Sequence, residues 1–220
     1  MSSRQRIIPV LLLALVSAGV APARADTSHH PVSIAQARAL PLGTVVTVEG
    51  TATTPSGAFE SSFYDKGFAL QDRSAGIYVS VAVDPHVTPR ARVRATGTLR
   101  DSSGLRVLVP NTPLAVHGTG PTIRPKPVTT ATVGETTEGS LVRVVATITR
   151  APESDLPYGH KFFVDDGSGE LTIFVNTQTG IDLTGLSAGQ HVHVTGFSSQ
   201  YDTHYEIDPR SPADITARQP

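Results

Sequence analysis

Aromatic rings interleaved with cations are the side chains of this sequence whose types and spacing could do chemistry. The segment AFESSFYDKG, Ala58 to Gly67, carries Phe63, Tyr64 and Lys66, and the stretch GFALQDRSAGIYVSV that begins at Gly67 adds Arg73 and Tyr78. Further on, APESDLPYGHK offers Tyr158 and Lys161, and KFFVDDGSGELTIFV, Lys161 to Val175, adds Phe163 and Phe174. Arg106 joins the set as a further cation. A ring gives a flat face on which a base stacks for ~1–3 kcal/mol with little regard to sequence, and cations beside it meet phosphate oxygens. The pattern suits a single strand of nucleic acid or a sugar chain.

Other groupings promise less. No GxxxxGK[ST] loop or HExxH helix occurs in the sequence, and no close set of histidines and carboxylates resembles a nuclease centre. The expectation is a binding protein without catalytic residues, cofactor or metal. His191 and His193 have the spacing to share a metal on a strand, with His204 or Asp202 as a third ligand, but no carboxylate is placed to orient the rings, and a solvent-facing pair is the simpler reading. DTSHH at Asp26 puts its first histidine fourth, where an amino-terminal copper site needs it third. DDGSGE, Asp165 to Glu170, has carboxylates near glycine as a calcium loop does, yet its length between two strand-like runs makes it a hairpin turn. The absence of cysteine excludes disulfides, thiol nucleophiles and lipidated cysteine.

Arg4 and Arg6 precede an apolar run, Ile7 to Ala21, that closes on Ala23-Arg24-Ala25, the layout of a secretory signal. The expectation is an exported protein, periplasmic or extracellular, whose mature chain starts near Asp26 and does not insert in a membrane. Charge is uneven along that chain. Residues 26–127 hold 10 basic and 7 acidic groups, whereas 128–220 hold 5 and 12. Such a balance is weak for a protein that lives by neutralising phosphates.

The elements that must position the candidate residues are strands. Val, Ile, Thr and Gly recur in alternation, with turn residues between short runs, and in the first half one stretch, Ser33 to Leu40, stopped by Pro41, reads as helix. The strands come twice. Val46, Val48, Gly50 and Ala52 fall on Val142, Val144, Ala146 and Ile148 at a shift of 96; Phe68, Leu70 and Asp72 fall on Phe162, Val164 and Asp166 at 94; Val93, Ala95 and Gly97 fall on Val192, Val194 and Gly196 at 99. Glycines inside strands mark the corners of a closed sheet. Each copy predicts five strands in a small barrel, and the class is all-β: two tandem barrels, 26–117 and 131–220, after a signal of 1–25. The stretch 118–130 between them is a stiff Pro/Gly-rich linker. A single immunoglobulin-like sandwich is the alternative.

The runs ARALPLGTVVTVEGTAT with FALQDRSAGIYVSV, and TEGSLVRVVATIT with FFVDDGSGELTIFV, resemble the OB-fold, the oligonucleotide/oligosaccharide-binding barrel, in the type found in exported bacterial proteins and often attached to extracellular nucleases. The resemblance implies a ligand on the outer face of strands two and three and on the loops beside it. With Phe68, Leu70, Ile77, Val79 and Val81 inside the first barrel, Tyr78 turns outward; with Phe162, Val164, Leu171, Ile173 and Val175 inside the second, Lys161, Phe163 and Phe174 do. The two phenylalanines serve either as stacking platforms or as packing against the other barrel or a partner protein. Arg90, Arg92 and Arg94 form the densest positive patch, while Glu153 and Asp155 oppose a phosphate chain. Single-stranded DNA or RNA is the expected partner, and a protein or glycan of the cell envelope the alternative.

Overall fold

A computed structural model describes residues 30–218, so the signal expected at 1–25 and the histidine at position 29 lie outside the described residues. The helix read at Ser33–Leu40 is a short α1 (Ile34–Arg38), closed at its start by a capping box between Ser33 and Gln36. It lays Ile34 and Ala37 on the core of the first barrel. Its free N–H groups are held from a distance. The Asp72 carboxylate accepts from the Ile34 N–H at 2.9 Å, and the Ser74 hydroxyl from that of Ala35 at 3.0 Å. The second copy repeats the device on a 3₁₀ turn, Thr130–Thr132, where Asp166 accepts from the Thr130 N–H at 3.1 Å and Ser168 from that of Ala131 at 3.1 Å. The acidic turn of each hairpin is therefore a cap for the segment that seals its own barrel.

In the first copy β1 (Val45–Ala52), β2 (Phe68–Gln71), β3 (Gly76–Val79), β4 (Ala91–Ser102) and β5 (Leu105–Pro110) pair in the order 1-2-3-5-4, and β4 returns to β1 to close the barrel. Two short strands follow: β6 (Ala115–Thr119), an edge strand on β4, and β7 (Lys126–Pro127), which runs parallel to the next strand. The ends of the Pro/Gly-rich stretch are thus each tied to a barrel. In the second copy β8 (Leu141–Asp155), β9 (Gly159–Asp165), β10 (Leu171–Asn176), β11 (His191–Tyr201) and β12 (His204–Asp208) repeat the closed order, and β13 (Ile215–Arg218) adds an edge to β11.

The duplication holds residue by residue. Val46 faces Gly97 and Val142 faces Gly196; Phe68 faces Val79 and Phe162 faces Ile173; the parallel pairing of the third and fifth barrel strands sets Tyr78 against Val107 and Thr172 against Glu206. Gly97 and Gly196 sit where the strand turns a corner. A Cβ there would come within 2.3 Å of the Val109 carbonyl oxygen and 2.5 Å of that of Asp208. Each barrel has its own core, one around Phe68, Leu70, Ile77 and Leu99 and the other around Phe162, Ile148, Ile173 and Ile207. Two closed sheets with separate cores replace the single sandwich.

The barrels are docked. Phe197, on β11, enters an apolar cluster with Phe59, Ala69, Tyr78, Leu105 and Val107 of the first barrel. Its ring lies 5.9 Å from that of Phe59 and 5.8 Å from that of Tyr78. Gly76 and Gly139 let two backbones touch, since a Cβ on Gly76 would lie 2.0 Å from the Gly139 carbonyl oxygen. Polar links complete the contact: Arg38 donates to Glu138 and Glu135 at 2.9 Å each, Arg210 to the Thr53 carbonyl at 2.8 Å, and Asp202 N–H to the Ser103 carbonyl at 2.6 Å.

Candidate binding cleft

Docking leaves a cleft of about 830 Å³ between the barrels. Its floor is the outer face of the second barrel. On β12, the alternating side chains of His204, Glu206 and Asp208 line it; on β10 those of Thr172, Phe174 and Asn176 do; and β9 adds Lys161 and Phe163. The opposite wall belongs to the first barrel: Phe59 to Ser62 and Tyr64 from the loop before β2, and Ser102, Ser103 and Leu105 from the β4–β5 hairpin. Tyr158 and Tyr201, each 55 % exposed, stand at the mouth with Tyr64. As a hydrogen-bond partner, Tyr64 raises the Tyr158 hydroxyl above its ordinary value.

The loop wall is fixed by a carboxylate at its centre. Asp65 is buried and accepts from the Tyr78 hydroxyl at 2.9 Å, the Ser61 hydroxyl at 2.6 Å and the Ser80 hydroxyl. Burial, and then the charge of Asp65, push the Tyr78 hydroxyl well above the usual tyrosine range. This corrects the expectation of an open stacking platform. Tyr78 does point outward from its barrel, but it is 1 % exposed and packed under Phe59 and Phe197.

The structure gathers six of the ten sequence candidates into the cleft: Tyr64, Tyr78, Tyr158, Lys161, Phe163 and Phe174. It disperses the rest. Phe63 is exposed outside the cleft lining, and Lys66 is paired with Glu60. Arg73 lies exposed in the β2–β3 turn. Arg106 gives its backbone N–H to Glu138 at 3.1 Å and its guanidinium to the Leu40 carbonyl at 2.7 Å, which makes it a barrel-docking residue rather than a ligand contact. Phe163 is 8 % exposed beneath Arg150, whose guanidinium carbon stands 3.2 Å from the ring centre, so of the two phenylalanines only Phe174 offers an accessible ring. The positive patch is spent as well: Arg92 and Arg94 both clamp Glu49, and these contacts, the Arg94 hydrogen bond first, hold the Glu49 carboxyl below its ordinary range. His204, weighed as a third metal ligand, is instead a cleft residue, its ring 5.9 Å from that of Tyr201.

Two residues of the floor escaped the sequence reading. Burial, and then the charge of Asp155, push the Glu206 carboxyl up to about 7, against the pull of Lys161. Burial and the charge of Glu206 raise Asp208 well above the carboxylate range, although Asn176 hydrogen-bonds it. A signal existed. At the shift of 99 these positions correspond to Val107 and Val109, so the second copy puts acids where the first has valines on an outward row.

No protein-family model and no curated protein matches the chain. Among solved structures it is similar to a murine DNA-binding protein bound with double-stranded DNA, at 11 % identity and a TM-score of 0.43 over 79 % of this chain and 97 % of that one. It is also similar to the tetrameric p202 HIN2 (10 %, 0.37, 81 % and 94 %), and to a replication protein A heterotrimer bound to single-stranded DNA (8 %, 0.32, 87 % and 70 %). Likenesses this distant bear on neither ligand nor site.

Proposed function

We propose that this is a non-catalytic binding protein that takes a segment of a glycan chain in the cleft between its barrels. The observation that carries the reading is the make-up of the cleft. Accessible rings at Tyr64, Tyr158, Phe174 and Tyr201 stand beside Asn176, Gln178, Ser199 and Gln200, and four carboxyl groups, Glu60, Asp155, Glu206 and Asp208, outnumber Lys161 and His204. Lys161 itself lies 3.7 Å from both Glu153 and Asp155. Rings that stack on sugar faces and amides that bond hydroxyls fit such a lining, whereas a phosphate chain finds as its one lysine a side chain already placed beside two carboxylates. The leader-like residues 1–25 support an exported protein acting in the envelope, where such chains occur.

Single-stranded nucleic acid is the second reading. Arg73 and Arg100 favour it: both are exposed on the first barrel and neither forms an ion pair with any described residue. One set of titrations separates the two readings: a neutral N-acetylated chitin oligosaccharide, a cellulose oligosaccharide and an oligothymidylate, each at low and high salt. The glycan reading expects a sugar to bind with an affinity indifferent to salt. An oligonucleotide that binds more tightly than either sugar, and falls away steeply as salt rises, would overturn it in favour of the second.

A further inference from the structure

Among the described residues, four buried side-chain polar atoms have no hydrogen-bond partner, and three of them, Ser62 Oγ, Ser102 Oγ and Asp208 Oδ1, belong to residues that line this one cleft. Ser102 is 2 % exposed and Asp208 5 %. Buried polar atoms are nearly always paired, and three orphans among the residues that line one cavity point to a ligand that satisfies them. Glu206 stands beside Asp208 on the same strand face, and His204 Nε2 lies 4.0 Å from its carboxyl. Among the described residues no side chain donates to Asp208 Oδ1, so the acid pair presents an unpaired acceptor to the cleft.

We infer that the glycan carries a primary amine, whose ammonium is held between Glu206 and Asp208 while Ser62 and Ser102 bond hydroxyls of the same sugar. This rests on the glycan reading and narrows it to amino sugars that are not acetylated. The chemistry selects the group. An ammonium has three N–H donors and no acceptor, the complement of two carboxylates. A quaternary ammonium has no N–H to give Asp208. A metal ion fits poorly, because the described residues contain no group of three His, Asp or Glu side chains arranged to hold one. Phe174 and Tyr201 also line the cleft, and aromatic rings near a cation attract it further.

The pH dependence is bell-shaped. Burial first, then Asp155, favours the protonated Glu206 carboxyl, which titrates at about 7 against the pull of Lys161, so the acid limb falls away below that pH; burial and Glu206 move Asp208 in the same direction; His204 and Tyr78 also face them. On the alkaline side the amine loses its proton.

The test uses two oligosaccharides of equal length, fully deacetylated and fully N-acetylated chitin, titrated against the whole protein by calorimetry. Near neutral pH the deacetylated chain binds at least about tenfold more tightly, as expected for charge-assisted hydrogen bonds made in a partly dry site. In a Glu206→Gln, Asp208→Asn variant the ratio of the two affinities falls to about one. Equal affinities for the wild-type protein overturn the amine while leaving the glycan reading standing. A preference that survives in the variant overturns it too, since overall acidity would then explain it. Binding of neither oligosaccharide removes the amine, and the glycan reading falls with it if the cellulose oligosaccharide also fails to bind. Should the variant fail to fold, the wild-type pH profile decides. An affinity ratio with a maximum near neutrality supports the site, and one flat with pH refutes it.

Discussion

The same face of the same fold meets two fates in this molecule. On the first barrel the outward row formed by Ala69, Tyr78, Leu105 and Val107 is apolar and covered by Phe59 and Phe197. On the second, the matching row is Phe163, Thr172, His204 and Glu206, and it forms the floor of a cleft. A duplicated barrel has two equivalent outer faces, and burying one against its sibling leaves one for a ligand. The difference lies in a few side chains. Valines at 107 and 109 gain free energy by leaving water, whereas Glu206 and Asp208 at the matching positions cannot be covered by an apolar partner without losing their charge.

The harshest way to break this comparison is to uncover the buried face. Phe197→Ala removes the ring that stacks between Phe59 and Tyr78 and should cost about 3–5 kcal/mol, as for other buried aromatic truncations. Denaturant unfolding should separate into two transitions, with a larger radius by X-ray scattering; one transition at the wild-type midpoint would mean that the docking does not depend on this cluster. Next in size is making the second face like the first. Glu206 has a folded-state pKa of about 7, raised from 4.5. Its contribution to stability is therefore complete below pH 4.5 and is lost as pH rises towards 7, by on the order of 3 kcal/mol at 1.36 kcal/mol per pH unit. Glu206→Val with Asp208→Val, the residues of the first barrel, should flatten that slope and raise stability at neutral pH, measured as denaturant midpoints across pH. A slope unchanged in the variant would place its origin elsewhere.

Smaller effects sharpen the picture. Phe174→Ala should weaken sugar binding about tenfold, ~1.4 kcal/mol, since its partly exposed ring lines the cleft. Ser80, its counterpart at a shift of 94, is buried against Asp65, so Ser80→Ala should instead loosen the loop wall. Least of all, the two hairpin caps should differ slightly. Asp72→Ala and Asp166→Ala should each cost about 0.5–2 kcal/mol, the former more because it caps a longer helix. The Ser168 hydroxyl, with Thr130, holds Asp166 down to about 2 from 3.8, so its share is present above pH 3.8 and fades as pH falls towards 2. Equal unfolding midpoints for wild-type and Asp166→Ala protein at pH near neutrality would show that this cap adds nothing.

Much of the fold was legible because repetition and alternation are properties of the chain. Val46 and Val142 could be equated by spacing alone, and the structure pairs them with Gly97 and Gly196 in turn. The inward sets around Phe68 and Phe162 followed from period two. The candidate site was half legible. Alternation sent Tyr78 and Phe163 outward correctly, yet outward from a barrel is not outward from the molecule, and one is covered by Phe197 and the other by Arg150. Arg92 and Arg94 looked like a free patch because Glu49 lies on another strand, 43 and 45 residues away.

What the sequence determined by itself was local and periodic: strand, turn, the side of the sheet on which each residue stands, and the fact that this happens twice. Only the tertiary structure decided which barrel face is covered, which cations are neutralised and which acids are pushed towards neutrality. Those outcomes depend on how two separately folded surfaces meet, and desolvation and charge pairing across that contact involve residues far apart in the chain.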